Sequence, residues 1–220
     1  MEILTANQVC YTYQTKYQKI DALKDINYAF ETGVMYAITG ESGSGKSTFL
    51  SLLAGLDLPT KGQICFEGTD MKTLDRDAYR ANAASVVYQS FHLFPLLNAL
   101  ENVMFPMRLN GVSRANAKAR AKEVIKKVGL GDKILRQFPQ MMSGGEQQRI
   151  AIARAIAAGG RILLADEPTG NLDTKNEKII VDLLKGLAHG DGFAVIVVTH
   201  NKQIAAEADS VISMQDGEIL

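Results

Sequence analysis

Residues 40–48 read GESGSGKST and lie between two segments of different character. The segment before them, VMYAIT (34–39), is almost entirely apolar and predicts a buried strand, whereas residues 47–56 carry apolar side chains at helical spacing. The glycines allow the backbone to curl with its N–H groups pointing inward, and the helix that follows contributes its positive end. The stretch therefore predicts a loop that binds an anionic group.

The spacing of this loop matches G-x-x-x-x-G-K-[ST], the pattern of nucleotide phosphate loops. In that pattern Lys46 reaches the β- and γ-phosphates, and the Ser47 hydroxyl is a ligand of Mg²⁺. A glycine-rich turn can match by chance, but a strand before it and a helix after it are the context that the motif requires. The predicted nucleotide-binding residues here are Gly40, Glu41, Ser42, Gly43, Ser44, Gly45, Lys46, Ser47 and Thr48.

Two further apolar runs, RILLAD (161–166) and AVIVVT (194–199), have the pattern of buried parallel strands. Strands that alternate with helices predict an α/β fold with a mainly parallel sheet. Residues 1–33 and 62–70 are instead typical of short strands and turns, and we expect them to form an antiparallel edge. The predicted helices cover residues 47–56, 113–128, 144–160 and 175–187.

Strand signals nearly vanish between about residues 90 and 157. We therefore predict a helical lobe of about 90–157, inserted into an α/β core of about 1–89 and 158–220. The length of 220 residues fits this arrangement as a single nucleotide-binding domain.

Composition narrows the class of protein. Lys+Arg 24 balances Asp+Glu 24, which argues against a nucleic-acid binder held mainly by phosphate contacts. Cys10 and Cys65 stand beside apolar residues, as expected of reduced thiols in a cytosolic protein. The start, MEILTANQ, lacks signal-peptide features, and the strongest apolar run (194–198) is too short to cross a bilayer. We expect a cytoplasmic protein unless a partner holds it at a membrane.

Carboxylates follow the second predicted strand. Asp166 ends RILLAD and can hold Mg²⁺ through water, while Glu167 is placed to polarise an attacking water molecule. Asp-Glu-Pro is also a common way to end a strand. The phosphate loop in the same chain favours the catalytic interpretation.

Two other polar residues are candidates at the same sheet edge. His200 closes the third strand and can hydrogen-bond the γ-phosphate and align the water with Glu167. Gln89 ends SVVYQ, and its side-chain oxygen can reach Mg²⁺ or the water; a solvated loop glutamine is the alternative.

With SGGEQQR (143–149) and Gly170-Asn171-Leu172-Asp173, these elements occur in the order and approximate spacing of the ATP-binding cassette. The chain resembles the nucleotide-binding subunit of ABC transporters along nearly its whole length. The resemblance implies a P-loop NTPase that uses ATP and Mg²⁺. It implies catalytic roles for Lys46, Gln89, Glu167 and His200, and metal contacts from Ser47, Gln89 and Asp166.

The family also stacks adenine on an aromatic residue near the N-terminus. Tyr13 aligns best with that position in QVCYTYQ, and Tyr11 is the second candidate. Both stay open because the site needs only a flat ring.

The second glycine-containing helix start, MSGGEQQR (142–149), gains a role from the same resemblance. In this family two subunits pack head to tail, and this loop of one subunit caps the γ-phosphate held by the other. The resemblance therefore implies a homodimer around two ATP. Residues assigned to the nucleotide across that interface are Ser143, Gly144, Gly145, Glu146 and Asp173.

Met142 and Glu146 depart from the common Leu-Ser-Gly-Gly-Gln signature. Glu146 together with residues 167–173 resembles the branch of macrolide-efflux, lipoprotein-releasing and antimicrobial-peptide-resistance ATPases. The branch implies a separate membrane permease and a function in export, extraction or peptide resistance. An importer ATPase remains an alternative.

Three other function classes fit less well. A soluble ABC ATPase acting on DNA or ribosomes would carry a long coiled coil or two cassettes, and this chain has neither. A GTPase needs an aspartate where Ile204 stands in residues 201–204, because that aspartate reads guanine. A non-catalytic module would lack one of the catalytic groups, and none of them is missing from this sequence.

The stretch SFHLFPLLNALENV (90–103) supports a membrane partner. Its apolar residues form either the core of the helical lobe or a groove for a short permease helix, which would hold the ATPase on the inner face of the membrane. These residues are Phe91, Leu93, Phe94, Leu96 and Leu97.

Overall fold

Residues 1–14 and 17–220, which this computed structural model describes, form ten strands, seven α helices and two short 3-10 helices. The strands are β1 (Glu2–Gln14), β2 (Lys19–Glu31), β3 (Met35–Thr39), β4 (Lys61–Phe66), β5 (Thr69–Asp70), β6 (Ala84–Tyr88), β7 (Ile162–Asp166), β8 (Ala194–Val198), β9 (Ser210–Gln215) and β10 (Glu218–Ile219). The helices are α1 (Lys46–Leu53), α2 (Arg76–Asn82), α3 (Ala99–Leu109), α4 (Arg114–Lys127), α5 (Gly144–Ala157), α6 (Thr174–Asp191) and α7 (Lys202–Glu207), with 3-10 helices at Asp132–Arg136 and Pro139–Met141.

The central sheet has six strands in the order β10-β9-β3-β8-β7-β6, and every neighbouring pair except β9–β10 is parallel. Val198 pairs with both Ile38 and Asp166, so β3, β7 and β8 end at the same edge. The predicted α/β class with a mainly parallel core is confirmed.

Helices and strands cover both faces of this sheet, which explains the continuous apolar runs. In β7, Leu163 packs into the core that contains α5 and α6, whereas Leu164 packs into the core that contains α1. Val195 and Ile196 of β8 divide between the two cores in the same way. Because successive side chains of a strand point to opposite faces, a strand buried on both faces needs apolar residues throughout.

The antiparallel part of the molecule is larger than the sequence predicts. β1 and β2 are each 13 residues long and belong to a sheet of their own, in the order β2-β1-β4-β5. One face of this sheet packs on α1, with Leu4 and Phe30 in the same core as Phe49. The antiparallel strands therefore cover α1 from the side opposite the parallel sheet.

Between β6 and β7 the structure contains α3, α4, both 3-10 helices and α5, and no strand. Asn102 of α3 is fully buried, and its amide bonds the backbone of Phe94, Leu97 and Asn98. That network fixes the loop that enters the helical region. That residues 90–157 form a lobe inserted into the α/β core stays a prediction.

Cys10 and Cys65 are free thiols. No helix in the part of the chain that the structure describes has the length and apolar character needed to cross a bilayer.

Candidate active site

A cavity of about 950 Å³ opens where β3, β7 and β8 end. It brings together most of the residues that the sequence assigns to the nucleotide, although these come from five separate stretches of chain. The predicted site residues that line it are Tyr13, Gly40, Ser42, Gly43, Gly45, Lys46, Ser47, Thr48, Gln89, Asp166, Glu167 and His200.

In the loop between β3 and α1, two glycines combine a left-handed backbone conformation with a close neighbour that leaves no room for a side chain. Gly40 and Gly45 have φ angles of 150° and 99°, which favour glycine. A Cβ at Gly40 would lie 2.2 Å from the Met214 carbonyl oxygen, and one at Gly45 would lie 2.6 Å from that of Ala22. Gly45 caps α1 without a side-chain hydrogen bond, so the helix presents its first N–H groups to the loop.

Lys46 is the first residue of α1, and its side chain is buried against this loop. Its Nζ donates to the carbonyl oxygens of Gly40 and Glu41, at 2.9 and 2.7 Å, and to the Ser44 hydroxyl at 3.3 Å. The loop backbone therefore holds a cation where the N–H groups converge, which suits a phosphate ligand.

Asp166 lies at the end of β7 and contacts the first turn of α1. Burial raises the pKa of its carboxyl, as does the neighbouring Glu167, while a hydrogen bond from Ser47 and the charge of Lys46 act in the opposite direction. A carboxylate beside a hydroxyl suits Mg²⁺, which usually takes one or two protein ligands and completes its shell with water and phosphate oxygens. The donor set of Ser47 and Asp166 thus fits that ion.

Glu167 adopts a left-handed backbone conformation with φ 49°, and three groups hold its carboxylate. Oε1 accepts hydrogen bonds from the His200 backbone N–H at 3.1 Å and lies 2.7 Å from His200 Nδ1. Oε2 accepts a weaker one from the Thr199 hydroxyl at 3.4 Å. The end of β8 therefore fixes a carboxylate at the wall of the cavity.

Gln89 is paired with Asn171. Gln89 Nε2 donates to Asn171 Oδ1, and Asn171 Nδ2 donates back to the Gln89 carbonyl oxygen, both at 3.2 Å. A Cβ at Gly170 would lie 2.7 Å from Gln89 Nε2, so the segment must pass this amide without a side chain. Because Nε2 is engaged, the Gln89 side-chain oxygen is the atom left for a metal or water ligand. The sequence alone places Asn171 in the motif of residues 170–173 and predicts no role for it.

Tyr13 lines the cavity, and its hydroxyl lies 3.1 Å from the Thr48 hydroxyl at the start of α1. Tyr11 packs edge-on against Tyr13, with ring centroids 4.9 Å apart, and its hydroxyl donates to Asp57. That hydrogen bond, with burial, raises the pKa of Tyr11 to about 12. The geometry favours Tyr13 as the aromatic that faces a nucleotide.

Ser143 and Glu146 form a capping box at the start of α5. The Glu146 carboxylate accepts from the Ser143 N–H at 2.8 Å and from its hydroxyl at 2.9 Å, and Ser143 Oγ accepts from the Glu146 N–H. Gly145 lies against Asn176, whose Oδ1 would stand 2.2 Å from an added Cβ. The second loop is therefore rigid and closely packed.

The residues of this second loop lie apart from the cavity. Asp173 caps α6, and hydrogen bonds from Asn176 lower the pKa of its carboxyl. Within the described chain, the cavity lining includes none of the five residues predicted to contact a nucleotide across an interface. These are Ser143, Gly144, Gly145, Glu146 and Asp173.

A second cavity, of about 480 Å³, lies between β6, α3 and α5. Of the five apolar residues predicted for a groove, Phe94 lines it, whereas Phe91 and Leu93 pack against the core. The Arg154 guanidinium stands 5.6 Å from the Phe94 ring centroid and donates to the His92 carbonyl oxygen at 2.7 Å. The remaining lining is mostly apolar and includes Val86, Phe105, Pro106, Leu109, Arg80 and Asn110.

The chain is similar to proteins of one family. A family model described as "ABC transporter" matches residues 23–170. An uncharacterized ABC transporter ATP-binding protein of Methanocaldococcus jannaschii is 42% identical over 99% of this chain and 98% of its own length. A macrolide export ATP-binding/permease protein of Aeromonas hydrophila is 42% identical over 94% of this chain, which spans only 32% of that relative.

Solved structures agree with these relatives. The dimeric structure of a bacterial ABC transporter cassette superposes with a TM-score of 0.90 at 39% identity, covering 99% of this chain and 96% of the other. A dimeric post-hydrolysis state of the same cassette, bound to ADP and Pi, gives a TM-score of 0.88 at 38% identity with the same coverage.

Proposed function

The chain belongs to the ABC transporter family, and from that membership we propose that it hydrolyses ATP to drive a separate membrane permease. It is an ABC ATPase cassette, and a similar cassette has been captured after hydrolysis with ADP and Pi. The observation that carries the proposal is the single cavity shared by the phosphate loop, Asp166 and Glu167.

ATP binds with its phosphates in the loop of residues 40–48 and its adenine against Tyr13. The N–H groups at the start of α1 and the buried Lys46 ammonium neutralise the phosphate charge. Stacking reads a flat ring rather than the edge of a base, so the affinity for ATP comes mainly from the phosphates and the ring face.

The groups that would hold Mg²⁺ are the Ser47 hydroxyl, the Asp166 carboxylate and the Gln89 side-chain oxygen. When bound, this ion neutralises charge on the β- and γ-phosphates during phosphoryl transfer. The protein contributes the ligand geometry: Asp166 is fixed by its hydrogen bond with Ser47, and Gln89 by Asn171.

Glu167 polarises the attacking water, and His200 keeps its carboxylate in place. A positioned base contributes roughly a hundredfold or more to such a step. Glu167→Gln therefore retains ATP binding and loses at least roughly that factor in turnover.

The second loop acts on the nucleotide of another copy of the chain. Support comes from the position of Ser143 outside the cavity and from the dimeric structures of a similar cassette. Two head-to-tail copies form two composite sites, each with the phosphate loop of one chain and residues 143–146 of the other. Loss of the γ-phosphate removes the group that joins them.

The permease docks a short helix in the second cavity. Arg154 binds the loop backbone there and belongs to α5, whose first residues follow Ser143. A movement of the permease helix in the groove is thus transmitted through α5 to the second loop, which lies at the dimer interface. Similarity to macrolide export proteins favours export, extraction or peptide resistance as the task, with the cassette on the inner face of the membrane.

A charge placed in the groove tests this partner. Phe94→Asp puts a carboxylate in a mostly apolar cavity, and we expect it to abolish co-purification of a co-expressed membrane permease. Leu96→Asp is the matched control because Leu96 is 86% exposed and does not line the cavity. Equal retention of the permease by both variants would remove the groove from this role.

A further inference from the structure

The charge of this neutral chain is unevenly distributed. Residues 108–136 contain nine Lys or Arg and only two acids, Glu123 and Asp132, an excess of seven positive charges. The rest of the chain must therefore carry an excess of seven negative charges, because the totals are 24 and 24. One region of the surface is strongly basic, and the function of the active site does not use it.

The centre of this region is a stripe on α4 formed by Arg114, Lys118, Lys122 and Lys126. Their spacing of four residues places each one turn after the last, and all four are exposed. Like charges at this spacing destabilise a helix, and Arg114 lies in the first turn, where the helix dipole disfavours a cation. Lys126 lies in the last turn, where the dipole favours a cation, but Arg114 and the like-charge neighbours along the stripe do not stabilise α4. Helix stability therefore does not explain the stripe as a whole.

No ion pair involves the stripe within residues 1–14 and 17–220. Arg114 and Lys118, with Arg108 of α3, line a cleft of about 370 Å³ between α3 and α4. The carboxylate in this cleft, Glu101, accepts a hydrogen bond from the Asn98 N–H at 3.0 Å in the capping box of α3. The cleft therefore collects more positive charge than the protein neutralises.

The cleft and the groove of the second cavity lie on either side of α3. Phe105 lines both, whereas Pro106 and Leu109 face the groove and Arg108 faces the cleft. A permease helix in the groove would lie about one helix diameter, about 10 Å, from the cleft, where the stripe begins with Arg114 and Lys118. A permease places that side of the cassette toward the membrane.

From this juxtaposition we propose that the α4 stripe and the α3–α4 cleft bind the phosphate headgroups of anionic phospholipids on the inner leaflet. The choice of a membrane rests on the proposed permease. A flat anionic surface contacts the stripe without meeting the acidic remainder of the chain. A long nucleic acid would extend beyond the stripe and over that acidic remainder. Each Lys or Arg near such a surface strengthens attachment by roughly fivefold at moderate salt.

The test measures co-sedimentation of the purified chain with vesicles of phosphatidylcholine alone or mixed with phosphatidylglycerol. The stripe variant replaces Arg114, Lys118, Lys122 and Lys126 with Gln. The matched control replaces four other exposed lysines with Gln, at positions Lys61, Lys72, Lys178 and Lys202. Both variants lose the same charge. In the stripe variant the removal of like-charge repulsion offsets the loss of the favourable Lys126 at the end of α4, and circular dichroism of both variants checks that they are folded.

The wild-type chain is expected to bind vesicles that contain phosphatidylglycerol and not to bind vesicles of phosphatidylcholine alone. High salt should release the bound chain from the vesicles. The stripe variant should bind these vesicles at least roughly 25-fold more weakly, a figure that counts a fivefold loss for only two of its four cations. The vesicle affinity of the control variant should stay close to that of the wild type. ATP turnover of the stripe variant should be unchanged, so a failure of the proposed ATPase function is separable from a failure of lipid binding.

Three results would overturn the proposal. The first is equal weakening by the stripe and control variants, and the second is equal binding to both kinds of vesicle. The third is an absence of vesicle binding together with oligonucleotide binding that only the stripe variant loses, which would assign the surface to nucleic acid.

Discussion

Glu167 shows how a single residue connects backbone strain with chemistry. A non-glycine residue with φ 49° is uncommon, and such conformations persist only where the surroundings determine them. Here the His200 N–H and imidazole fix one carboxylate oxygen, and the Glu167 N–H itself donates to the Val198 carbonyl at 2.9 Å. The strained turn places the carboxylate at the cavity wall, which a regular continuation of β7 would not do.

Tyr13 is predicted to supply the stacking face for adenine. Tyr13→Ala should weaken ATP affinity by about 1–3 kcal/mol, the usual contribution of a base stacked on an aromatic ring. Other purine triphosphates should bind the wild type with only modest loss, because stacking reads few edge groups. Titration calorimetry with the nucleotide in the absence of turnover measures both effects.

Tyr11→Ala is the control for this prediction, because Tyr11 contacts Tyr13 yet does not line the cavity. We expect a smaller loss from it. Intact affinity in Tyr13→Ala with a clear loss in Tyr11→Ala would transfer the role to Tyr11.

Asn171 is predicted to orient the Gln89 amide so that its oxygen faces the metal. Asn171→Ala removes two hydrogen bonds and should raise the Mg²⁺ concentration for half-maximal turnover by roughly fivefold, the equivalent of about 1 kcal/mol. Nucleotide affinity without Mg²⁺ should not change. Titrations of ATPase activity with Mg²⁺ measure the effect of Asn171→Ala in the wild type and in Gln89→Ala, and the difference between the two effects is the coupling of Asn171 to Gln89. An effect of the same size without Gln89 would show that Asn171 acts elsewhere.

For single residues, the sequence predicted those whose spacing defines the phosphate loop and the two acids at the end of β7, Asp166 and Glu167. It did not predict the Asn171–Gln89 pair, because residues 82 positions apart meet only once β6 and β7 are neighbours. It also left Tyr11 and Tyr13 open, since residues two positions apart share one face of a strand and the site needs only a flat ring.

Among the secondary-structure elements, prediction worked best where burial is complete. β3, β7 and β8 are apolar throughout because both faces of their sheet are covered. β1 and β2 were expected to be short, since polar residues interrupt them on the exposed face, yet each continues for 13 residues. The helix after the phosphate loop was predicted to reach residue 56 but ends at Leu53, because Gly55 adopts a left-handed conformation with φ 65°.

Asp209 joins three elements and makes the stability of their junction pH-dependent. Its carboxylate accepts from the Met35 N–H of β3 at 2.8 Å and lies 2.8 Å from His189 Nε2 of α6, just before β9 begins. Burial alone would raise the pKa of this carboxyl, but those two partners lower it overall. A lowered pKa stabilises the fold above the ordinary value of about 3.9 and ceases to do so as the pH falls below it.

Asp209→Asn keeps an acceptor for Met35 and removes the charge. Urea unfolding should show the wild type more stable at neutral pH by no more than about 1 kcal/mol, because the pair is partly exposed. The difference should shrink as the pH falls below about 4 and vanish below the lowered pKa of the folded chain, where the wild-type carboxyl binds a proton in both states. A difference that stays constant over this range would mean that the charge of Asp209 contributes nothing.

On the scale of the whole molecule, the chain carries two helix starts suited to anions, at Gly45 and at Ser143, and only the first faces the cavity. A single chain cannot place both on one nucleotide without rearranging the packing of Gly145 on Asn176. A second copy of the chain resolves this, and the dimeric structures of a similar cassette have that stoichiometry. We therefore propose that two copies meet head to tail, with a nucleotide between the phosphate loop of one chain and the second loop of the other.

The mass of Glu167→Gln in solution with ATP and Mg²⁺, measured by light scattering, tests this claim most directly. Slow turnover preserves the γ-phosphate, so the variant should form a dimer with ATP and a monomer when Ser143→Arg is added. The double variant should still bind ATP as a monomer, because its own phosphate loop is intact. A Glu167→Gln chain that stays monomeric when saturated with ATP would contradict the account, as would a Ser143→Arg monomer that no longer binds the nucleotide.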